Sequence, residues 1–158
     1  MTLSAVIPAV ERILLTLWVG GMWTTGLILA PVLFSNYPRS VAGEIAGRLF
    51  EWVSYLGIAC AIALLTLAAI RIRRRLWRDA RTAVLAAMLV IVLIGEFGIA
   101  AELRQMRESA MEAAPGSELR TAFGRLHGFA GALFLANALL GLALVVAGPR
   151  PRRDQAGS

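Results

Sequence analysis

Four long apolar runs, separated by short polar segments, make up most of the chain. The runs cover residues 13–34, 49–70, 82–101 and 119–147. Each has at least the roughly 20 residues that an α-helix needs to cross the hydrocarbon core of a bilayer. The pattern predicts an all-α protein, a four-helix transmembrane bundle that forms a single domain over residues 1–148 and leaves a short basic tail at 149–158.

The third and fourth runs continue into amphipathic patterns. After residue 101, Leu103, Met106 and Ala110 follow at helical spacing. A Pro-Gly break comes next, and Ser117 can cap the helix that follows it. Helices three and four are therefore expected to extend beyond the bilayer on its outer side.

The polar segment before the second helix is also amphipathic. Val41, Ile45, Leu49 and Trp52 fall on one helical face, and the charged residues of the segment fall on the other side. We expect this segment to lie at the outer membrane interface, with the second transmembrane helix beginning near Leu49.

An arginine-rich segment between the second and third helices sets the expected orientation. Six arginines lie within Arg71–Arg81, and three more lie in the tail. Because cytoplasmic loops are enriched in Lys and Arg, we predict that this loop and both termini face the cytoplasm across a bacterial inner membrane. The arginines of Arg71–Arg81 are expected to contact anionic lipid headgroups.

Composition and charge narrow the functional classes. The chain is 58% hydrophobic, more than a soluble domain of 158 residues requires. The net charge of +6 is concentrated in the loop and the tail, so it indicates a membrane surface and not a nucleic acid as the partner. All 16 basic residues are arginine, and the absence of lysine excludes Schiff-base catalysis.

Glu96 carries the strongest functional signal. A carboxylate inside a membrane-spanning helix costs roughly 2.5–3.5 kcal/mol on insertion scales, and such residues usually face protein or water. Glu96 precedes Leu103 by seven residues and Ala110 by fourteen, so the three share one face of the third helix. We therefore expect Glu96 to point into the bundle and to meet a polar partner there.

Five polar residues are candidate partners for Glu96, and the sequence does not choose among them. They are Arg48, Arg104, Arg125, His127 and Asn137. The resulting outward polar cluster could serve a solute, an ion or a proton, or it could only clamp helices two, three and four together. Arg48 also has a simpler explanation, because Glu44 and Glu51 lie at favourable spacing for surface pairs on one helix.

His127 is the only histidine of the chain. A single histidine excludes a multi-histidine metal site and bis-histidine haem ligation within one chain. No metal, cofactor or catalytic residue is therefore predicted. A lone interfacial histidine is more often a packing residue, although it also suits a proton-responsive role.

Small and aromatic residues indicate where helices approach one another closely. The first helix carries Trp18 and Gly21, followed by Pro31, which is expected to kink it. Gly124 and Gly128 lie four residues apart on the fourth helix. This spacing favours tight helix packing or the face of a homo-oligomer.

Several short motifs resemble those of a known membrane family. They are Leu17-Trp18-Val19-Gly20-Gly21, Ala30-Pro31-Val32-Leu33-Phe34, Gly47-Arg48-Leu49-Phe50 and Phe123-Gly124-Arg125-Leu126-His127-Gly128, with Asn137 beyond them. As a set they are similar to the small four-helix membrane family called domain of unknown function 4149, related to eukaryotic transmembrane protein 205. The resemblance implies an integral membrane protein of unsettled biochemistry.

The first helix also resembles, more distantly, that of bacterial membrane-bound protoporphyrinogen oxidases and of copper-resistance membrane domains. This likeness implies a haem-dependent oxidase as one alternative function. Those families place a histidine on helix one, and the oxidases use a lysine. Here the first helix has no histidine and the chain has no lysine. The leading hypothesis is a non-enzymatic module that binds or moves a small solute, ion or proton, and the second is a structural or partner-binding protein.

Overall fold

Four long helices, joined by short connections, run back and forth through the molecule. The computed structural model describes residues 3–72 and 79–148. Helix α1 consists of Leu3–Thr24, the π-helical segment Thr25–Leu29 and Ala30–Asn36, and α2 is Arg39–Ile72. Helix α3 consists of Ala80–Leu93, the π-helical segment Ile94–Ala100 and Ala101–Glu112, and α4 is Glu118–Val146. The prediction of an all-α, four-helix bundle is confirmed.

The outer surface of the bundle is apolar along most of its length. The helices contain apolar spans of 29 to 33 residues, with mean hydropathies between 1.7 and 2.5. Large side chains such as Leu27, Ile70 and Phe97 are 60% to 67% exposed. An apolar surface of this extent is suited to lipid and not to water. The chain is therefore a multi-pass membrane protein.

Each helix packs against two others, so the contacts form a closed ring. α1 packs against α2 and α4, and α3 packs against the same two helices. Trp18, Met22 and Met88 form the centre of the core and are at most 2% exposed. The connections at residues 37–38 and 113–117 lie at one end of the bundle, called the hairpin end, and the opposite end, which holds the arginine-rich connection, is called the termini end.

Two glycines bring neighbouring helices into direct contact in the core. At Gly57 of α2, an added Cβ would overlap the indole of Trp18, with the Cδ1 atom at 2.9 Å. At Gly141 of α4, it would lie 2.7 Å from Val19 Cγ2 and 3.1 Å from Met88 Cε. Small residues at such positions let helix backbones approach, and this packing stabilises helix association in membranes.

All four helices are longer than a bilayer requires, not only α3 and α4. α2 begins at Arg39 and not near Leu49, so it has 34 residues and is about 51 Å long at 1.5 Å per residue. A hydrocarbon core is about 30 Å thick. The hairpin end is therefore built from all four helices, and the predicted interfacial segment is the first part of α2.

The packed face at the start of α2 differs from the predicted one. Ala42 and Ala46 are 0% and 5% exposed, whereas Val41 and Ile45 are 43% and 38% exposed. This part of α2 packs against the end of α1. Close approach of two helices selects small side chains, so the larger apolar residues face outward.

Polar caps fix the ends of α3 and α4. Asp79 accepts a hydrogen bond from a backbone N–H in the first turn of α3 at 2.8 Å. Ser117 Oγ accepts one from the backbone N–H of Arg120 at 3.3 Å, as the sequence predicted for Ser117. At the other end of α4, Gly148 adopts a φ of 68°, and its carbonyl accepts a hydrogen bond from Arg81.

Two sequence predictions concern residues outside the described ranges. Most of the arginines in Arg71–Arg81 lie there, as does the whole of the tail at 149–158. The contacts expected between these arginines and anionic lipid therefore stay predictions.

Candidate functional site

Glu96 lies in the π-helical segment of α3 and is buried. Its side chain is 4% exposed, although the span around it is strongly apolar. Arg104 Nη1 donates a hydrogen bond to Glu96 Oε1 at 2.9 Å, and the two groups form an ion pair. The carboxylate therefore faces protein and not lipid.

The π-helical segment explains why Glu96 pairs with Arg104. On a regular α-helix a residue eight places along is turned by about 80°, whereas one seven places along is nearly aligned. A π-helical turn accommodates an extra residue, so Arg104 takes approximately the position that Leu103 would hold on a regular helix. The sequence prediction placed Leu103 on the Glu96 face because it assumed α-helical geometry throughout.

Arg104 covers one carboxylate oxygen of Glu96 and leaves the other open. Glu96 Oε2 accepts no hydrogen bond from the described residues. The Arg104 side chain is 50% exposed. The pair therefore combines a buried carboxylate, one oxygen of which has no hydrogen-bond partner within the described ranges, with an arginine that reaches the surface.

Tyr55 and Glu51 of α2 extend this polar site across the contact between α2 and α3. The Tyr55 hydroxyl donates a hydrogen bond to Glu51 Oε1 at 3.1 Å. The ring centroids of Tyr55 and Phe97 are 6.5 Å apart, so Tyr55 lies beside the residue that follows Glu96 on α3. Glu51, Tyr55, Glu96 and Arg104 are together called the Glu96 cluster.

The sequence analysis missed Tyr55 and Arg107. Arg107 Nη2 donates a hydrogen bond to the backbone carbonyl of Ser40 at 3.0 Å, joining the end of α3 to the start of α2. Helical spacing was the available signal in both cases. Arg107 follows Arg104 by three residues and Tyr55 follows Glu51 by four, so each pair shares one side of its helix.

Arg48 does not belong to the Glu96 cluster. Its Nη2 donates to Glu44 Oε1 at 3.3 Å, and the two side chains are 75% and 63% exposed. Such a pair, one helical turn apart on a surface, contributes about 0.3–0.5 kcal/mol. The contact matches the simpler of the two sequence interpretations, a surface pair on α2.

Arg125 and His127 lie on the exposed surface of α4 near the hairpin end. The ring of His127 stacks on Phe123, with centroids 6.2 Å apart and planes within 5°. At the hairpin end, α4 packs against Ala101–Glu112 of α3. The side of α4 that carries Arg125 and His127 is exposed. Within the described part of the chain neither residue forms a hydrogen bond or an ion pair with Glu96, and the cluster around Glu96 and His127 stays a prediction.

Asn137 is buried, but it lies at the contact between α4 and α1. It is 3% exposed, and its Nδ2 donates to Met22 Sδ at 3.7 Å. Among the described residues its Oδ1 has no hydrogen-bond partner, and neither has the indole N–H of Trp23. A groove of about 140 Å³ opens between the same helices, lined in part by Met22, Trp23 and Phe134. Asn137 is therefore separate from the Glu96 cluster.

The residues predicted to serve helix packing divide into two groups. Trp18 packs in the core, and a Cβ on Gly21 would make ordinary contact with an α2 side chain at 3.7 Å. A Cβ added at Gly124 or Gly128 would meet nothing within 4 Å among the described residues, so neither position is a tight helix contact there. Pro31 is exposed, and α1 continues through it because the preceding π-helical segment accommodates the missing N–H.

The family assignment rests on the part of the chain that holds the site. The model of one family, described as Domain of unknown function (DUF4149), matches residues 13–112. The chain belongs to this family. Comparison with curated proteins and with solved structures finds no match, and the relation to transmembrane protein 205 stays a prediction. The matched residues of this DUF4149 protein include the whole Glu96 cluster, whereas His127 and Asn137 lie beyond them.

The donor groups of this DUF4149 protein can also be assessed for metal binding. Over residues 3–72 and 79–148, no three side chains of His, Cys, Asp or Glu converge on one point. The Glu96 cluster offers two carboxylates, a phenol and a guanidinium, groups that accept or donate hydrogen bonds.

Proposed function

We propose that this DUF4149 protein binds and exchanges a proton at Glu96. The observation that carries the proposal is a buried carboxylate with one oxygen held by Arg104 and the other without a hydrogen-bond partner among the described residues. Ionisable groups at membrane depth are costly, and they commonly mark proton and ion pathways. Glu96 lies about 24 Å along α3 from Ala80, within the thickness of a hydrocarbon core of about 30 Å.

Arg104 is suited to release and retake the carboxylate. While the ion pair is formed, Arg104 Nη1 occupies Oε1 of the carboxylate. Because Arg104 is 50% exposed, its guanidinium can turn toward water or headgroups. A motion of this side chain would leave the Glu96 carboxylate free to take up a proton.

Two cavities of the described structure lie away from the Glu96 cluster and are smaller than a usual small-molecule pocket. The groove of about 140 Å³ lies between α1 and α4, and a smaller depression at the termini end is lined by Glu11 and Arg81. Neither borders the Glu96 cluster. Pockets for small molecules usually enclose roughly 300–1,000 Å³, whereas a proton needs only a chain of hydrogen-bonding groups.

A second candidate function is structural, with the ion pair stabilising the π-helical segment of α3. Glu96 and Arg104 belong to the same helix, so their hydrogen bond does not join α3 to α2 or α4. The hydrogen bond between helices at this end is made by Arg107 to Ser40. The geometry therefore supports a local role for the pair within α3 better than the clamp between three helices.

Proton flux into vesicles separates the two candidates. The purified chain is reconstituted into liposomes that contain a pH-sensitive dye, and a potassium diffusion potential drives proton entry. We expect the wild type to accelerate the dye response and Glu96→Gln, which keeps the side-chain shape but cannot ionise, to remove the acceleration. Arg48→Gln is the matched control because its ion pair is exposed, and it is expected to keep the flux.

The thermal unfolding temperature of each variant is measured alongside the flux. Glu96→Gln that conducts protons as fast as the wild type would contradict the proton proposal. A wild type with no flux, combined with a large loss of thermal stability in Glu96→Gln, would favour the structural candidate.

The proposed location is a bacterial inner membrane, with the hairpin end outside and both termini in the cytoplasm. The arginine content of Arg71–Arg81 supports this orientation. The test uses Ala114→Cys at the hairpin end, in a Cys60→Ser background because Cys60 is the only natural cysteine. An impermeant maleimide is expected to label this cysteine from the periplasmic side, and labelling only from the cytoplasmic side would reverse the orientation.

A further inference from the structure

An exposed aromatic surface crosses from α2 to α3 beside the Glu96 cluster. Trp52, Tyr55 and Phe97 are 72%, 42% and 60% exposed. The ring centroids of Trp52 and Tyr55 are 6.5 Å apart, as are those of Tyr55 and Phe97. The three rings therefore form one continuous surface, called the aromatic patch.

The aromatic patch lies at the height where a hydrocarbon core ends. Along their helices, Trp52 is about 30 Å from Ile72 and Phe97 is about 26 Å from Ala80, and these two helix ends adjoin the arginine-rich connection. A hydrocarbon core is about 30 Å thick, and aromatic side chains concentrate at its boundary with the headgroups. The Cα atom of Arg104 is about 36 Å along α3 from that of Ala80, near the headgroup level, and its guanidinium extends back toward the hydrocarbon core to reach Glu96.

Arg104 has hydrogen-bonding capacity that the protein does not use. A guanidinium carries five N–H donors in a planar fork. Within the described residues, its donated hydrogen bond goes from Nη1 to Glu96 Oε1, and half of the side chain is exposed. Guanidinium groups bind phosphate oxygens in bidentate geometry. The unused donors of Arg104 therefore complement a phosphate beside the aromatic patch.

We propose that Arg104 and the aromatic patch bind one phospholipid, with its phosphate on the guanidinium and the upper part of an acyl chain on the rings. A phospholipid presents a negative phosphate and apolar chains at these two heights in any bilayer. The charge of Arg104 and the exposed surface of Trp52 and Phe97 complement both parts. The inference goes beyond the proposed function because it assigns a second ligand.

The lipid phosphate and Glu96 compete for the same guanidinium. The guanidinium can hold both groups on different N–H donors, but the Glu96 carboxylate offsets its positive charge and repels the phosphate, so Glu96 weakens lipid binding. The competition has a measurable consequence. Removing the negative charge of Glu96 releases Arg104 and strengthens the binding of the phospholipid.

Native mass spectrometry of the full chain measures this binding, with phosphatidylglycerol as the probe. The wild type is expected to retain one lipid, and Arg104→Gln is expected to retain about tenfold less, the effect of losing one charge-assisted hydrogen bond. Arg48 is the matched control, because it lies about 36 Å from Ile72, at the same height on the neighbouring helix. Arg48→Gln is expected to leave retention unchanged, and Glu96→Gln to raise it.

The aromatic part of the site has its own control. Trp52→Ala is expected to lower retention, whereas Phe129→Ala, which removes a ring that is 55% exposed on α4, is expected to leave it unchanged. Full retention by Arg104→Gln, or equal losses in Arg48→Gln and Arg104→Gln, would overturn the proposal. Arg104→Lys keeps the charge and is expected to recover part of the binding. This variant tests the lipid site even where Arg104→Gln folds poorly.

Lipid retention and proton flux fail independently of each other. Lipid retention is measured by mass in detergent. A retained lipid therefore supports the lipid site even where Glu96→Gln conducts protons normally. Conversely, flux through Glu96 with no retained lipid would refute the lipid site and leave the proton proposal intact.

Discussion

The middle of the bundle and its hairpin end are held together by different interactions. In the middle, the helices are held by close apolar packing. For example, the indole of Trp18 lies directly against Gly57. At the hairpin end, Ala42 and Ala46 also pack closely, and arginines add hydrogen bonds. Arg104 pairs with Glu96 within α3, and Arg107 joins α3 to α2.

This difference separates what stabilises the fold from what is available for chemistry. Apolar contacts in a close-packed core are sensitive to side-chain volume, so a single added methyl group changes the free energy of unfolding. Exposed charged contacts can be exchanged for water or lipid headgroups at little cost. We therefore expect the largest changes in stability from substitutions in the middle, and changes in binding from substitutions at the hairpin end.

The largest loss of stability is expected from Gly57→Ala. The added Cβ overlaps the indole of Trp18, a large ring that is 1% exposed and has no space to move into. Overpacking of this kind costs about 3 kcal/mol at the upper end of its usual range. Thermal unfolding in mild detergent, followed by circular dichroism, measures the change.

Gly128→Ala is the control for Gly57→Ala. Its Cβ meets nothing within 4 Å, and alanine is a better helix former than glycine by about 0.8–1.0 kcal/mol. Unchanged or slightly higher stability is expected. Equal destabilisation by both variants would show that the tight contact at Gly57 does not matter.

An intermediate loss is expected from Arg104→Gln, because the shorter glutamine leaves a buried carboxylate without its partner. Removing one partner of a fully buried pair costs about 3–5 kcal/mol, and the half-exposed position of Arg104 reduces the expected cost to about 2 kcal/mol. The exposed pair gives the contrast. Arg48→Gln is expected to change the free energy of unfolding by less than about 0.5 kcal/mol, and similar losses in both variants would show that the burial of Glu96 contributes nothing.

The architecture was predictable because the bilayer constrains it strongly. A backbone in lipid must satisfy its hydrogen bonds internally, so each long apolar run becomes a helix. The same constraint made Glu96 stand out, because a single carboxylate in such a run has to find protein or water. The cap at Ser117 was predictable from local chemistry alone.

The partner of Glu96 was not predictable, because it depends on helix phase. The π-helical segment Ile94–Ala100 has no clear compositional signal, yet it moves Arg104 into line with Glu96 and Leu103 out of line. The prediction of the packed face of α2 was wrong for a related reason. Which face is buried depends on how closely α1 approaches, and only the structure shows that the approach selects Ala42.

After Gly57→Ala and Arg104→Gln, the smallest of the three losses is expected from Arg107→Gln, which removes the hydrogen bond to the Ser40 carbonyl. The loss of one hydrogen bond of this kind costs about 1 kcal/mol, and because it lies at the start of α2 the change should be local. Hydrogen exchange is expected to accelerate in the first turns of α2 and to stay unchanged around Gly57. If Arg107→Gln instead lowered the free energy of unfolding as much as Gly57→Ala, the hairpin end would share in holding the fold, and its charged groups would not be free for proton and lipid binding.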